Sequence, residues 1–307
     1  MNIFMTGGTG FVGTTMTRKL VSKGHKVTVL SRSAKKKDLL PPEGASYIEG
    51  DPTRTGAWQR SVADHDAVIN LAGASIFKRW NSGTKKAIRD SRVLTTQNLV
   101  SALSARKGKE TVLLSTSAVG YYGFCGDEDL DEESPRGNDF LASVTRDWET
   151  AALEAEKHGV RVVLCRFGTV LGSSGGALNQ LVPLFRKGLG SPLGGGKQWF
   201  SWIHEQDLVN VYIFLLKQKN ISGPINCAAP EPVRNQEFTR ALGKALGRPT
   251  FMPAVPGFLI KLMVGEFGSV LLNGQKVLPK RLMDMGFSFQ FPNIQEALED
   301  LLKESGA

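Results

Sequence analysis

Short apolar runs alternate along this chain with longer stretches in which apolar residues return every three or four positions, a pattern that predicts buried strands separated by amphipathic helices. Asn2-Ile3-Phe4-Met5, Lys26 to Leu30, Ala45 to Glu49, Asp66 to Gly73, Thr111 to Ser115, Val160 to Phe167 and Pro224 to Ala228 read as strands. Met16 to Ser22, Ser91 to Ala105, Phe140 to His158, Leu181 to Gly188, Asp207 to Lys217, Gln236 to Leu246 and Ile294 to Lys303 read as helices, with Phe77 to Arg89 mixing loop and helix and Arg92 opening the helix after it. Strand and helix alternate as in successive βαβ units, so the expected fold is α/β, a doubly wound parallel sheet. A smaller, mostly helical C-terminal lobe should follow. The expected division is 1–176 with 202–225 for the sheet domain, and 177–201 with 226–307 for the lobe.

The turn after the first strand carries the candidate chemistry. Thr6-Gly7-Gly8-Thr9-Gly10-Phe11-Val12-Gly13 places glycines at 7, 10 and 13, between a strand and a helix. Glycine there removes the side chains that would keep a diphosphate from backbone N–H groups at a helix N-terminus. Strand, turn, helix and second strand in this order make the unit Rossmann-type and predict a bound dinucleotide. Past the second strand stand Ser31-Arg32-Ser33 and Lys35-Lys36-Lys37, with no acid before Asp38. An acid would select a free ribose 2′-hydroxyl; Arg32, with Ser31 or Ser33 donating a hydroxyl, selects a 2′-phosphate, and hence NADP(H). The lysines read as a solvated run that raises the local positive potential. Asp51, in the loop after the third strand, can meet the adenine edge or cap a turn.

Composition excludes more than it adds. Of 307 residues 41% are hydrophobic and 22% charged, and the net charge is +9 from dispersed Lys and Arg. No nucleic-acid motif accompanies that charge, so a small phosphorylated ligand accounts for it. No apolar run reaches spanning length and no signal-peptide pattern opens the chain, so a cytoplasmic protein without a membrane partner is expected. Cys125, Cys165 and Cys227 are odd in number and widely spaced, which predicts reduced thiols and no metal site. The partner should be a small-molecule substrate or effector. A homodimer is compatible with this reading.

Taken together, several segments resemble the extended short-chain dehydrogenase/reductase superfamily, in its NAD-dependent epimerase/dehydratase group. Thr6 to Gly13 matches its TGxxGxxG turn, Asn70-Leu71-Ala72-Gly73 its strand-four motif, Ser115-Thr116-Ser117 with Tyr122-Gly123 its serine segment, and Trp202 to Leu208 its "hVxD" segment. The likeness is strongest to an atypical branch labelled "epimerase family protein" or "SulA-like cell-division inhibitor family", whose C-terminal lobe matches Phe251 to Leu298. The resemblance implies that Thr6, Gly7, Gly10, Phe11 and Val12 surround the diphosphate and that Ser31 and Arg32 hold the 2′-phosphate. Leu71, Ala72 and Gly73 would lie beside the adenosine ribose, Arg92 would reach a phosphate, and Ser115 and Val170 would approach the nicotinamide end.

The family's acid/base pair is Tyr and Lys in YxxxK on the helix after the acidic loop. Here that helix carries Leu141 and Thr145 at those positions, and none of Tyr47, Tyr121, Tyr122 and Tyr212 has Lys four residues on. Two readings follow. In one the chain is an NADP(H)-dependent oxidoreductase or epimerase that uses Ser117 with Tyr121 or Tyr122, although a tyrosine without a cation beside it titrates near ~10. In the other it binds NADP(H) without turnover, as a sensor or interaction protein. Trp199, Phe200 and Trp202 can stack on a ligand or pack the lobe, and His204 is expected to serve the start of its helix rather than a proton relay.

Overall fold

The computed structural model describes residues 1–33, 43–106, 108 and 110–303. In chain order its elements begin with β1 (Asn2–Thr6), α1 (Phe11–Ser22), β2 (Lys26–Ser31), β3 (Ala45–Glu49), β4 (Ala67–Asn70), α2 (Ser82–Leu103), β5 (Val112–Ala118), β6 (Asp129–Leu130), α3 (Phe140–Leu153) and β7 (Arg161–Phe167). They continue with β8 (Thr169–Gly172), α4 (Gly176–Arg186), β9 (Trp199–Phe200), β10 (Trp202–His204), α5 (Glu205–Lys217) and β11 (Gly223–Cys227). The lobe adds β12 (Val233–Arg234), α6 (Asn235–Ala245), α7 (Gly257–Val264), α8 (Gly268–Leu272), β13 (Lys276–Val277), α9 (Lys280–Asp284) and α10 (Ile294–Lys303).

Seven of these strands form one parallel sheet in the order β11-β7-β5-β4-β1-β2-β3. Parallel neighbours require crossovers, so helices cover both faces and the inner strands are buried, while the edge strand β3 is partly exposed. One core packs β1, β2 and β4 against α1 and α5 through Ile3, Met5, Met16, Leu20 and Leu208; the other packs Phe4, Val68, Leu113 and Leu164 against α2 through Leu99 and Leu103. This is the doubly wound architecture expected from the alternating runs. The strand order reverses between β1 and β4, which run parallel, and this is where an open α/β sheet forms its crevice at the strands' carboxyl ends.

Local chemistry moves several boundaries. The helix after the glycine turn starts at Phe11 rather than Met16, because Thr14 and Thr17 satisfy their hydroxyls on the carbonyls of Gly10 and Gly13 at 2.8 and 2.7 Å instead of breaking the turn. The segment read as loop then helix is one 22-residue helix, α2, opened by Asn81, whose side chain accepts the Thr84 amide at 2.8 Å. Arg92 therefore sits inside α2 and does not open it. Helix α4 begins at Gly176 and tolerates Pro183 in its interior. The pairing of β8 with β10 was not foreseen, since three- and four-residue strands leave little periodicity to read.

The lobe is fastened to the sheet by buried carboxylates. Asp207, fully buried in the first turn of α5, accepts the backbone amides of Gln290 and Phe291, both at 2.8 Å. Glu132 accepts the amides of Asn226 at 2.9 Å and Arg281 at 3.2 Å. Burial pushes both carboxyls above their ordinary range despite these bonds.

Candidate functional site

Thr6 ends β1 with its hydroxyl donating to Asn70 Oδ1 at 2.7 Å, and the Asn70 amide donates to Thr96 at 2.9 Å. The Ala72 amide donates back to the Thr6 hydroxyl at 3.4 Å, so the turn Leu71-Ala72-Gly73 is held beside the glycine turn. Gly7 has φ 72°, and a Cβ on it would lie 2.7 Å from the Leu71 carbonyl carbon. A Cβ on Gly13 would lie 2.1 Å from the Gly7 carbonyl oxygen. Both positions require glycine, because backbone packs directly on backbone there, and this close packing holds the turn at the start of α1. Gly10 is the N-cap of α1 and offers no side-chain acceptor, and the first turn carries no acid. The amides of Phe11, Val12 and Gly13 therefore lack helical acceptors and carry the positive end of the helix dipole.

The Phe11 ring packs into the Gly172 to Gly176 turn, where a Cβ on Gly172, Gly175 or Gly176 would come within 2.6, 2.5 or 2.8 Å of it. Val12 packs on the core. Val170, in β8, pairs with Ile203 of β10. Buried Glu205 braces this side by accepting the Ser173 amide at 3.0 Å and the Thr15 hydroxyl at 3.3 Å.

At the end of β2 the Ser31 hydroxyl is 3.2 Å from that of Thr9, so it is already engaged with the glycine turn. Arg32 beside it is exposed. Asp51 forms a turn with Thr53, accepting its amide at 3.0 Å and its hydroxyl at 2.8 Å. Burial raises that carboxyl, but the Thr53 bonds, with Arg32 and Arg54 nearby, hold it below its usual range. Asp51 thus takes the turn-forming role. Lys35 to Lys37 lie outside the described residues.

Arg92 is the least expected arrangement. Its Nη1 donates to the carbonyls of Ala74 and Ile88, both at 3.0 Å, its guanidinium lies against Gly73, and it sits 5.3 Å from the Trp148 ring centroid. Burial lowers its pKa to about 10. Among the described residues no carboxylate pairs with it, so a desolvated cation faces the turn after β4 without an anion.

The three candidate hydroxyls of the serine segment do not share one environment. Ser117, 1% exposed, donates to Glu149 Oε1 at 2.6 Å. Glu149 is held bidentately by Arg166, Nε to Oε1 at 2.8 Å and Nη2 to Oε2 at 2.9 Å. Tyr122, equally buried, donates to Asn226 Oδ1 at 2.7 Å and accepts from Arg166 Nη1 at 3.0 Å; burial pushes its phenol up to about 12. Arg166 stacks on the Tyr121 ring at 3.5 Å, and its pairing with Glu149 raises its pKa against the opposing effect of burial. Tyr121 is half-buried, and its phenol has no hydrogen-bond partner among the described residues. Ser115 is fully buried in β5 with an unpartnered hydroxyl. In the slots of the missing pair, Leu141 packs on Gly120 and Thr145 returns its hydroxyl to the Leu141 carbonyl at 2.9 Å. The Glu149–Arg166 pair was not singled out from sequence, yet a signal was present: an arginine inside an apolar strand needs a buried acid.

His204 caps α5, its Nδ1 accepting the Gln206 amide at 3.0 Å. Burial lowers its pKa to about 4, with Asp300 pulling the other way. Its Nε2 is 3.3 Å from Asp300 but without hydrogen-bond geometry, so the contact is electrostatic. Trp202 is buried, donating to the Glu231 carbonyl, and Phe200 packs on Phe238, so both serve packing. Trp199 instead lies under Arg234 at 3.8 Å and donates to Asp127 at 2.9 Å. Among the described residues no cluster of three metal-ligating side chains occurs, and all three cysteines are free thiols.

Residues 3–228 match the NAD dependent epimerase/dehydratase family, and residues 255–301 match a domain of unknown function. An Arabidopsis thaliana protein named epimerase family protein SDR39U1 homolog, chloroplastic, is 42% identical over 99% of this chain and 87% of its own length. The crystal structure of human epimerase family protein SDR39U1 (isoform 2) with NADPH is 34% identical, with a TM-score of 0.85 over 99% of each chain. The Thermus thermophilus UDP-glucose 4-epimerase complex with NAD shares the fold over the full length of both chains, with a TM-score of 0.80 at 22% identity. A glycine-walled crevice at a strand-order reversal, a match spanning most of the sheet domain and full-length relatives agree that this chain belongs to the NAD dependent epimerase/dehydratase family.

Proposed function

We propose that the chain binds NADP(H) in the crevice between β1 and β4 and acts as an oxidoreductase or epimerase on a small molecule. The observation that carries the cofactor reading is Arg92, a half-buried guanidinium with only carbonyl partners, set against Gly73 beside the free amides of the α1 N-terminus. A diphosphate supplies the missing anion. Exposed Arg32, at the end of β2, suits a 2′-phosphate, and the NADPH complex of the human relative supports the same choice. The nicotinamide, when bound, supplies hydride chemistry.

Within this reading Tyr121 is the proton donor, because its phenol is the unengaged one and rests on a permanent cation. Ser117 and Tyr122 are positioning residues: their hydroxyls are consumed by Glu149, Asn226 and Arg166. The same engagement favours a second reading, an NADP(H)-binding sensor without turnover. NADPH consumption with a panel of carbonyl compounds and nucleotide sugars separates them. Turnover lost in Tyr121→Phe with NADPH affinity retained supports the first reading; tight binding with no turnover leaves the second.

A further inference from the structure

The lobe carries an apolar face that no other part of the described chain covers. Its centre is α7, where Ile260 is the buried side chain, while Phe258, Leu262 and Met263 are 71%, 69% and 72% exposed and Phe251 just ahead is 79% exposed. Leu189, also exposed, stands a few residues ahead of the segment that pairs with Val255. The Val255 amide donates to the Pro192 carbonyl at 2.9 Å and the Gly194 amide to the Val255 carbonyl at 2.8 Å, which stitches the two segments side by side. Large apolar side chains at i and i+4, such as Phe258 and Leu262, line one stripe of the helix.

Charge on these segments has one sign. Residues 177–200 contain Arg186, Lys187 and Lys197 and no acid, and residues 238–265 contain Arg240, Lys244, Arg248 and Lys261 and no acid, while of the two acids that flank this stretch Glu237 accepts the Arg234 amide and Glu266 is paired with Lys85. All seven are exposed. A second copy docked here about a two-fold axis would bring basic rim onto basic rim. A nucleic acid would leave the phenyl and thioether groups unburied. An occupant that is both apolar and anionic satisfies the whole face.

We propose that this face docks on an anionic phospholipid surface, with Phe258, Leu262 and Met263 entering the headgroup boundary and Lys187, Arg248 and Lys261 meeting lipid phosphates. No described helix is long and apolar enough to cross a membrane. The expectation of no membrane partner rested on that length, which a helix lying in the interface does not need. The contact is independent of cofactor binding.

The test is flotation of the full chain with vesicles of phosphatidylcholine alone or with a quarter phosphatidylglycerol. The chain should float with the anionic vesicles and about tenfold less with neutral ones, and high salt should release it. Phe258→Ser/Leu262→Ser and, separately, Lys187→Glu/Lys261→Glu should each lower flotation by about tenfold. Because all four side chains are exposed, both variants should melt as wild type does. No flotation, or equal flotation on both vesicle types, overturns the proposal. Sedimentation as a dimer that the Ser variant dissociates, without flotation, assigns the face to a contact between copies instead.

Discussion

Removing the Arg166 guanidinium is the sharpest perturbation of the buried network behind the serine segment. Arg166→Met keeps much of the volume but deletes two bonds to Glu149 at 2.8 and 2.9 Å, the 3.0 Å bond to Tyr122 and the stack on Tyr121. Glu149, 6% exposed, is then left with Ser117 as its one donor. Breaking a buried pair by deleting one partner costs about 3–5 kcal/mol, because the desolvated charge that remains has no compensation. For a chain of this size that corresponds to a melting temperature lower by about 5–8 °C. Replacing both members, Arg166→Met with Glu149→Leu, removes the orphaned carboxylate and should recover most of the loss. Urea unfolding of wild type, both single variants and the double variant closes the cycle, and the account expects a coupling of about 3 kcal/mol. Single losses below about 1 kcal/mol, or a double variant whose loss equals the sum of the singles, would show that the pair holds nothing together.

Three further outcomes follow from the geometry. Arg92→Met should leave the free protein about as stable as wild type, since it removes a half-buried cation that has no anion, while weakening NADPH binding by about 2 kcal/mol, roughly 30-fold; equal NADPH affinity in a calorimetric titration refutes the phosphate role. His204, neutral when folded and with its pKa lowered from 6.5 to about 4 by burial, favours the fold fully above pH 6.5 and loses that contribution as pH falls toward 4. His204→Asn keeps an N-cap acceptor, so wild type should lose up to about 3 kcal/mol more than the variant across that window, measured by denaturant unfolding; parallel pH curves contradict the assignment. Tyr121→Phe should abolish any NADPH-dependent turnover with little change in NADPH affinity, and unchanged turnover removes Tyr121 from the chemistry.

How much was readable in advance depended on the range of the interactions. The glycine turn was legible because its constraints are local: Gly7 needs positive φ and Gly13 needs close backbone contact, each within a few residues. The sheet was legible because Ile3 to Met5 are buried on both faces as an unbroken apolar run, and Val27, Val29 and Leu30 are buried around a half-buried Thr28. Helix α2 was split too early because its start is set by one side-chain bond from Asn81, while its polar first turns hide the periodicity. The roles of Ser117 and Tyr122 were beyond reach, since each depends on partners 32 and 104 residues away, Glu149 and Asn226. His204 was read correctly for the opposite reason, because its acceptor role spans two residues.

The central claim is that the crevice between β1 and β4 holds a phosphorylated nicotinamide dinucleotide. Calorimetric titration of the purified full chain with NADPH and with NADH, in wild type and in Arg32→Asp, tests it directly. The account predicts saturable binding of both forms, a clear preference for NADPH in wild type, and loss of that preference in the variant. A folded protein that gives no heat with either coenzyme, or that keeps its preference without Arg32, contradicts it.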